Sequence, residues 1–468
     1  MHLYMTANYG YKLVFPDAQL LTEAGFEKVA HVPSIFDSQP GYARLASQFL
    51  IDRALGSWDP KNRGARLNPQ PPSRVSIRNI GYWLCNALEW AEVRDDINLM
   101  TADYTTVLIG RYQHEMLKGI WSAHHEPLSA ETVNARVRTA LDFQMWGADK
   151  GHREPFIIPT VIRSYVTGSH TNSKSHEAKT VESRRGKVKV NKRTLSFPRD
   201  DEIKAWRQRV YEQLIVGATE GLMVDHILNT AIRREELACW RVDTLPLNPQ
   251  HWKVINPSQP EAVQQVVVEI RFGTKGREFY IDEYGDKVGP QGNIHVPLWH
   301  AKRIHEYRQK ERLLSLKRAT KGLRDPAKAR RIIEQSVHLY INAKTGKRYN
   351  GSQIYEFWTN VEGPRHWSPH LGRDWWACQY LWQKMKEHIA LIKQVQGIAN
   401  PHSDHPLVRA LRDIAQTVIQ FDIQPQLRHA SSQTTEIYLQ WLFNQLRVPL
   451  DLTRKWQEED ESTEGEKP

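Results

Sequence analysis

Residues 426 to 438 read Gln426-Leu427-Arg428-His429-Ala430-Ser431-Ser432-Gln433-Thr434-Thr435-Glu436-Ile437-Tyr438. A histidine is followed by a short Ser/Thr-rich turn and, nine residues after it, by a tyrosine. Taken alone, Tyr438 reads as a packed amphipathic aromatic and His429 as a satisfied or exposed histidine, because most residues of those types are. Their meaning depends on what stands upstream.

Upstream lies Trp367-Ser368-Pro369-His370-Leu371-Gly372-Arg373. Ser368 and Pro369 carry a helix-start signature, with serine as N-cap and proline at the first helical position. His370 and Arg373 then fall in the first turns and share a face at i, i+3. A helix amino terminus attracts phosphate. Further upstream, Ala231-Ile232-Arg233-Arg234-Glu235-Glu236-Leu237 sets two arginines before two acids. Between these segments come Gly273-Thr274-Lys275-Gly276-Arg277 and His295-Val296-Pro297-Leu298. Each has an ordinary reading on its own: Arg233 or Arg234 as a surface helix arginine, Lys275 as a solvated hairpin lysine.

With 468 residues the chain is too long for one ordinary core, so two or three domains are expected. Hydrophobic residues make up 40% and charged residues 25%, a globular balance that excludes wholesale disorder. Lys and Arg outnumber Asp and Glu by 64 to 53, which favours a polyanionic partner. Cys85, Cys239 and Cys378 are widely spaced in apolar stretches and read as reduced core residues, neither a disulfide nor a zinc framework. No amino-terminal leader and no membrane-spanning stretch is visible, so a cytoplasmic, nucleoid-associated protein is expected.

Along the chain, residues 1–40 hold short apolar runs broken by Pro16, Pro33 and Pro40 and form an amino-terminal extension of unknown role. Tyr42–Leu55, Ile77–Val93, Thr105–Lys118 and Leu128–Trp146 have helical periodicity and predict a small all-helical domain over 41–160. Residues 161–194 lose that periodicity and read as a basic linker. Its cations Arg184, Arg185, Lys187, Lys189, Lys192 and Arg193 suit a strap lying along phosphates, or equally a solvated tether. A second, mainly helical domain with a small β-sheet is expected over 195–450. There Gln264–Arg271 and Arg277–Ile281 alternate like the two strands of a hairpin, and Trp240, Trp375 and Trp376 are assigned to the core. The basic stretch Lys317–Arg331 reads as a solvated helical face, with DNA contact as the alternative. Residues 451–468 concentrate acids and predict a disordered tail.

In order and spacing, the four segments around Arg233, Lys275, His370/Arg373 and His429/Tyr438 resemble the boxes of the tyrosine recombinases. Leu128–Arg136 and Phe143–Trp146 are similar to the core-binding domain of phage integrases. The resemblance covers roughly residues 41–450. It implies a helical, SAM-like core-binding domain joined to an α+β catalytic domain, the two clamping double-stranded DNA, with Asn134 and Arg136 on the DNA side. It implies that Tyr438 attacks a phosphodiester to give a 3′-phosphotyrosine, with no metal and no nucleotide cofactor. Arg233 and Arg373 then fork onto the non-bridging oxygens, His370 takes the tyrosine proton, Lys275 protonates the leaving 5′ oxygen, and His429 hydrogen-bonds a non-bridging oxygen. Glu236 orients its helix turn as a structural partner. Assembly as a tetramer on two DNA sites, with accessory proteins possible, is also implied, and Trp441–Leu450 is the segment that would dock on a neighbour. The sequence departs from the family pattern at Gly372, where leucine is usual, at Asp374, where a second histidine is usual, and at Arg428, where glycine is usual. Two related readings stay open: a non-catalytic DNA-binding protein of the same fold, and a type IB topoisomerase or telomere resolvase.

Overall fold

The structure is a computed structural model, and it describes residues 10–61, 71–166, 178–191, 193–276, 278–398, 405–429 and 435–446. Residues 1–9, 430–434 and 447–468, with Lys192 and Arg277, lie outside the described residues. The chain is mainly α-helical with small antiparallel sheets and divides into two units, Met1–Lys192 and Arg193–Pro468.

The first unit is built on the helices Arg44–Leu55, Arg74–Glu92 and Ala130–Asp149 and on a helical run from Tyr104 to Leu117. Polar caps start them: the side chains of Ser73, Asp103 and Ser129 accept from the backbone nitrogens of Ser76, Thr106 and Thr132. The run from Tyr104 to Gln113 is wide, of π type, and tightens to α only over His114–Leu117. Phe49, Trp90, Tyr112 and Trp146, all fully buried, fill the core between the helices. Part of the amino-terminal extension belongs to this core. Lys12–Val14 pairs antiparallel with Ser34–Phe36, and the Ile35 nitrogen donates to the Ser47 hydroxyl of the first long helix at 2.9 Å.

Residues 161–194, expected to be an irregular linker, contain an antiparallel strand pair, Thr160–Val166 with Ala178–Arg184. Its polar and basic side chains hid the period of two. Beyond it the backbone runs along the first unit: Asn134 Nδ2 donates to Val188 O at 2.8 Å, and Val188 N donates back to Asn134 Oδ1 at 3.0 Å.

In the second unit, the helices Asp200–Tyr211 and Gly217–Thr230 pack with a four-stranded sheet in the order Lys253–Ile255, Gln265–Phe272, Lys287–Pro297, Tyr280–Ile281. The expected hairpin is corrected here. Gln265–Phe272 pairs with Lys287–Pro297, not with Tyr280–Ile281, which lies against the far side of Lys287–Pro297. Burial gives the physical reason: Val266 opposes Val296 and Val268 opposes Ile294, a buried apolar ladder that the exposed Tyr280 and Ile281 cannot match. A second apolar cluster gathers residues of the helices Pro369–Met385, Ile389–Gln396, Pro406–Val418 and Glu436–Gln445. Trp240 is buried and Trp375 half-buried in the core that joins the sheet to Asp200–Tyr211 and Gly217–Thr230, while Trp376 packs on the second cluster. Cys85, Cys239 and Cys378 are buried free thiols. Among the described residues no helix is long and apolar enough to cross a membrane.

Candidate active site

The site starts from a helix break. Gly217–Thr230 ends at Ala231, whose φ of 53° turns the chain left-handed. Arg233 is thereby extended and caps the short helix Arg234–Ala238. Its backbone nitrogen donates to Glu236 Oε2 at 2.9 Å and its Nη1 to Glu236 Oε1 at 2.9 Å. Its Nη2 donates to the carbonyls of Leu427 at 2.8 Å and Arg428 at 3.1 Å, nearly two hundred positions later in the chain.

Arg373 reaches the same carbonyl from a third direction. Ser368 caps Pro369–Met385 as its side chain accepts from Leu371 N, and Pro369 fills the first turn. From this helix the Arg373 Nη2 donates to Leu427 O and its Nη1 to Ala231 O. Burial first, and Arg233 next, push the guanidinium down to about 9, with Glu236 pulling the other way. It therefore stays charged at neutral pH.

His429 follows directly. Gln424 and Pro425 begin a short helix that Arg428 ends at φ 49°, ψ 49°. A left-handed residue just before the histidine is where glycine has the steric advantage; Arg428 sits there with its guanidinium donated to Glu236 Oε2. Gln426 ties this turn down: its Nε2 donates to Thr230 O at 2.7 Å and His295 O at 3.0 Å, and its Oε1 accepts from His295 N at 2.8 Å. The His429 Nδ1 is buried and meets no hydrogen-bond partner among the described residues. Burial, then the charges of Arg373, Arg233, Lys275 and His370, push its imidazole down to about 3.

Lys275 is exposed on the loop after Gln265–Phe272. The loop is pressed onto the first arginine segment through Gly273, at φ +67°, where a Cβ would stand 2.4 Å from the Glu235 carbonyl. Only glycine permits that approach. His370 lies on the exposed side of its turn, 3.9 Å from Asp374 Oδ2. Its pKa is lowered by the surrounding protein first and by Arg193, Arg373 and Arg233, against the pull of Asp374.

Tyr438 sits in the first turn of Glu436–Gln445, 1% exposed, and its hydroxyl donates to Asp374 Oδ1 at 2.9 Å. Burial and then Asp374 raise its pKa. Glu236 is buried; burial alone would raise its pKa, but Arg428, Arg233 and Arg373 together lower it. Among the described residues no three His, Cys, Asp or Glu side chains gather so as to hold a metal.

The basic segment divides. Arg184 is half-buried and donates to Tyr104 Oη at 3.0 Å and Asn134 Oδ1 at 3.0 Å. Asn134 is thus spent on the strap, and Arg136 donates to Asn86 Oδ1 at 3.0 Å inside the first unit. Arg185, Lys187 and Lys189 are exposed. Arg193 pairs with Asp374 at 2.9 Å. Sequence reasoning gave no site role to Asp374, Arg428 or Gln426. The departures from the family pattern at 374 and 428 were the available signal for the first two.

No family sequence model matches the chain, and no curated protein matches it. Among solved structures it is similar to the XerH site-specific recombinase bound to palindromic difH substrate in a post-cleavage complex, with a TM-score of 0.44 and 14% identity over 79% of this chain and 77% of that one. It is similar to XerH in a pre-cleavage complex, with a TM-score of 0.43 and 13% identity over 84% and 91%. It is also similar to the Tn1549 transposon integrase in complex with a circular intermediate DNA, with a TM-score of 0.42 and 10% identity over 89% and 99%.

Proposed function

We propose that the chain is a site-specific DNA recombinase or integrase that cleaves and rejoins double-stranded DNA through a 3′-phosphotyrosine on Tyr438. The observation that carries this is the shared Leu427 carbonyl: Arg233 and Arg373, from distant segments, both donate to it, two residues before His429. Two guanidiniums aimed at one oxygen, beside a buried imidazole nitrogen with no partner among the described residues, suit an anion with several oxygens. A phosphodiester becoming a pentavalent phosphorane is such an anion.

In the step proposed, the Tyr438 oxygen bonds to phosphorus and the bond to the 5′ oxygen breaks. The tyrosine proton passes to His370, and Lys275 gives a proton to the departing 5′ oxygen. Arg233, Arg373 and His429 hold the non-bridging oxygens. The phosphotyrosine keeps the energy of the cut bond, so rejoining needs no nucleotide. Tetramer assembly on two DNA sites belongs to the same proposal.

The test is a suicide DNA substrate nicked near its cut site. The protein should become covalently attached through Tyr438, and Tyr438→Phe should bind the DNA and give no adduct. An adduct on another residue would overturn the assignment. Recombinant junctions from two duplexes, as against relaxed circles or hairpin ends, would separate recombination from a topoisomerase or resolvase activity.

A further inference from the structure

Asp374 follows Arg373 directly on Pro369–Met385 and lies one helical turn after His370. Its carboxylate is 6% exposed. Oδ1 accepts the Tyr438 hydroxyl hydrogen at 2.9 Å, and Oδ2 stands 2.9 Å from Arg193 Nη1 and 3.9 Å from His370 Nε2. The charged or titratable groups acting on Tyr438 are Asp374, Arg373 and Cys378. Those around Asp374 add His370 and Arg193. One buried carboxylate therefore touches the proposed nucleophile with one oxygen and a cation with the other.

A buried phenol with three freely available rotamers would lose the attack geometry, and a displacement of about 1 Å at a reacting atom costs roughly a hundredfold in rate. A carboxylate itself free to rotate could not prevent this. Arg193 restrains that freedom through its charge, in an ion pair with the second oxygen at 2.9 Å that lacks hydrogen-bond geometry.

We infer that Asp374 is a positioning residue that fixes the Tyr438 hydroxyl, and that Arg193 serves by fixing Asp374, not by lying along DNA phosphates. The inference rests on the proposed reading of Tyr438 as the nucleophile. Asparagine at 374 keeps an acceptor oxygen of the same reach and removes the negative charge; alanine removes both.

Single-turnover cleavage is measured with saturating suicide substrate. Asp374→Ala should slow it roughly 10- to 100-fold with DNA affinity unchanged, and Asp374→Asn should recover most of that loss. With the charge gone, the alkaline limb of the pH–rate profile of Asp374→Asn should move to lower pH, since a neighbouring anion disfavours the phenolate. Arg193→Gln should slow cleavage at saturating DNA and leave the salt dependence of binding as it was. Equal rates for alanine and asparagine at 374, or an Arg193→Gln defect seen only as a flatter salt slope, would overturn the inference. A second readout separates it from the parent reading: the fluorine resonance of 3-fluorotyrosine at 438, identified by its loss in Tyr438→Phe, in protein without DNA. If Asp374→Asn shifts that resonance while the wild type forms no adduct, the contact stands and the recombinase reading fails. If the resonance does not move, the contact is absent and the inference falls.

Discussion

Glu236 grips Arg233 at two points, accepting its backbone nitrogen at Oε2 and its Nη1 at Oε1, each at 2.9 Å. The same carboxylate, wholly shielded from solvent, receives Arg428. Two segments of the proposed site are therefore held by one acid: the arginine that follows the helix break at Ala231 and the left-handed turn before His429.

Glu236→Gln should destabilise the second unit by about 3 kcal/mol at neutral pH, the usual size when one partner of a buried charge pair is removed. The pH dependence has a definite sign. Arginine neighbours hold the folded-state pKa of Glu236 below its ordinary value despite burial. Its contribution is thus fully present above that ordinary value and is lost as pH falls through the lower folded one. Urea unfolding of wild type and Glu236→Gln should show a wide stability gap at neutral pH that closes on the acid side. A gap independent of pH would mean that the carboxylate is not held ionised as described.

The exposed part of the basic strap yields a different expectation from its buried part. Replacing Arg185, Lys187 and Lys189 with alanine should weaken binding to all DNA sequences alike and reduce the salt slope by roughly one for each phosphate no longer neutralised. Arg184→Ala should instead lower the melting temperature of the first unit, because it breaks the hydrogen bonds to Tyr104 and Asn134. Filter binding across a salt series, with a melting curve for each variant, decides. An unchanged slope for the triple variant would return the strap to the role of a tether.

Much of the site was legible because its residues belong to short local patterns: Ser368-Pro369 announces the helix that carries Arg373, and the glycine at 273 marks the turn that carries Lys275. What stayed hidden depends on long-range packing. Nothing local to Arg193 says that it meets Asp374, and a basic run reads the same whether its members face solvent, as Lys187 does, or are pinned, as Arg184 is. The hairpin was assigned to the wrong strand because alternation reports a strand's two faces and not its neighbour; the partner of Val266 and Val268 was set by Ile294 and Val296, more than twenty-five residues later.

In the proposed mechanism Arg233, Arg373 and Lys275, which all lower the His429 pKa, supply the positive charge for a phosphorane. Strand cleavage should therefore run at an unchanged rate in excess chelator. A strict need for magnesium in single-turnover cleavage, with binding unaffected, would count against the proposed mechanism.

Lys275 is exposed, and Lys287 lies near enough for its Nζ to donate to the Gly276 carbonyl at 2.8 Å, so the proton donor needs a test of its own. If Lys275 protonates the departing 5′ oxygen, its loss matters because that oxygen leaves poorly as an alkoxide. Sulfur leaves without such help. A substrate with sulfur in the bridging 5′ position should restore cleavage to Lys275→Ala and not to Tyr438→Phe, which lacks the nucleophile. Arg233→Ala should gain little, because the charge it stabilises sits on the non-bridging oxygens and is unchanged by the sulfur. Should sulfur rescue Lys287→Ala and leave Lys275→Ala inactive, with both binding DNA normally, the proton comes from Lys287 on the neighbouring strand.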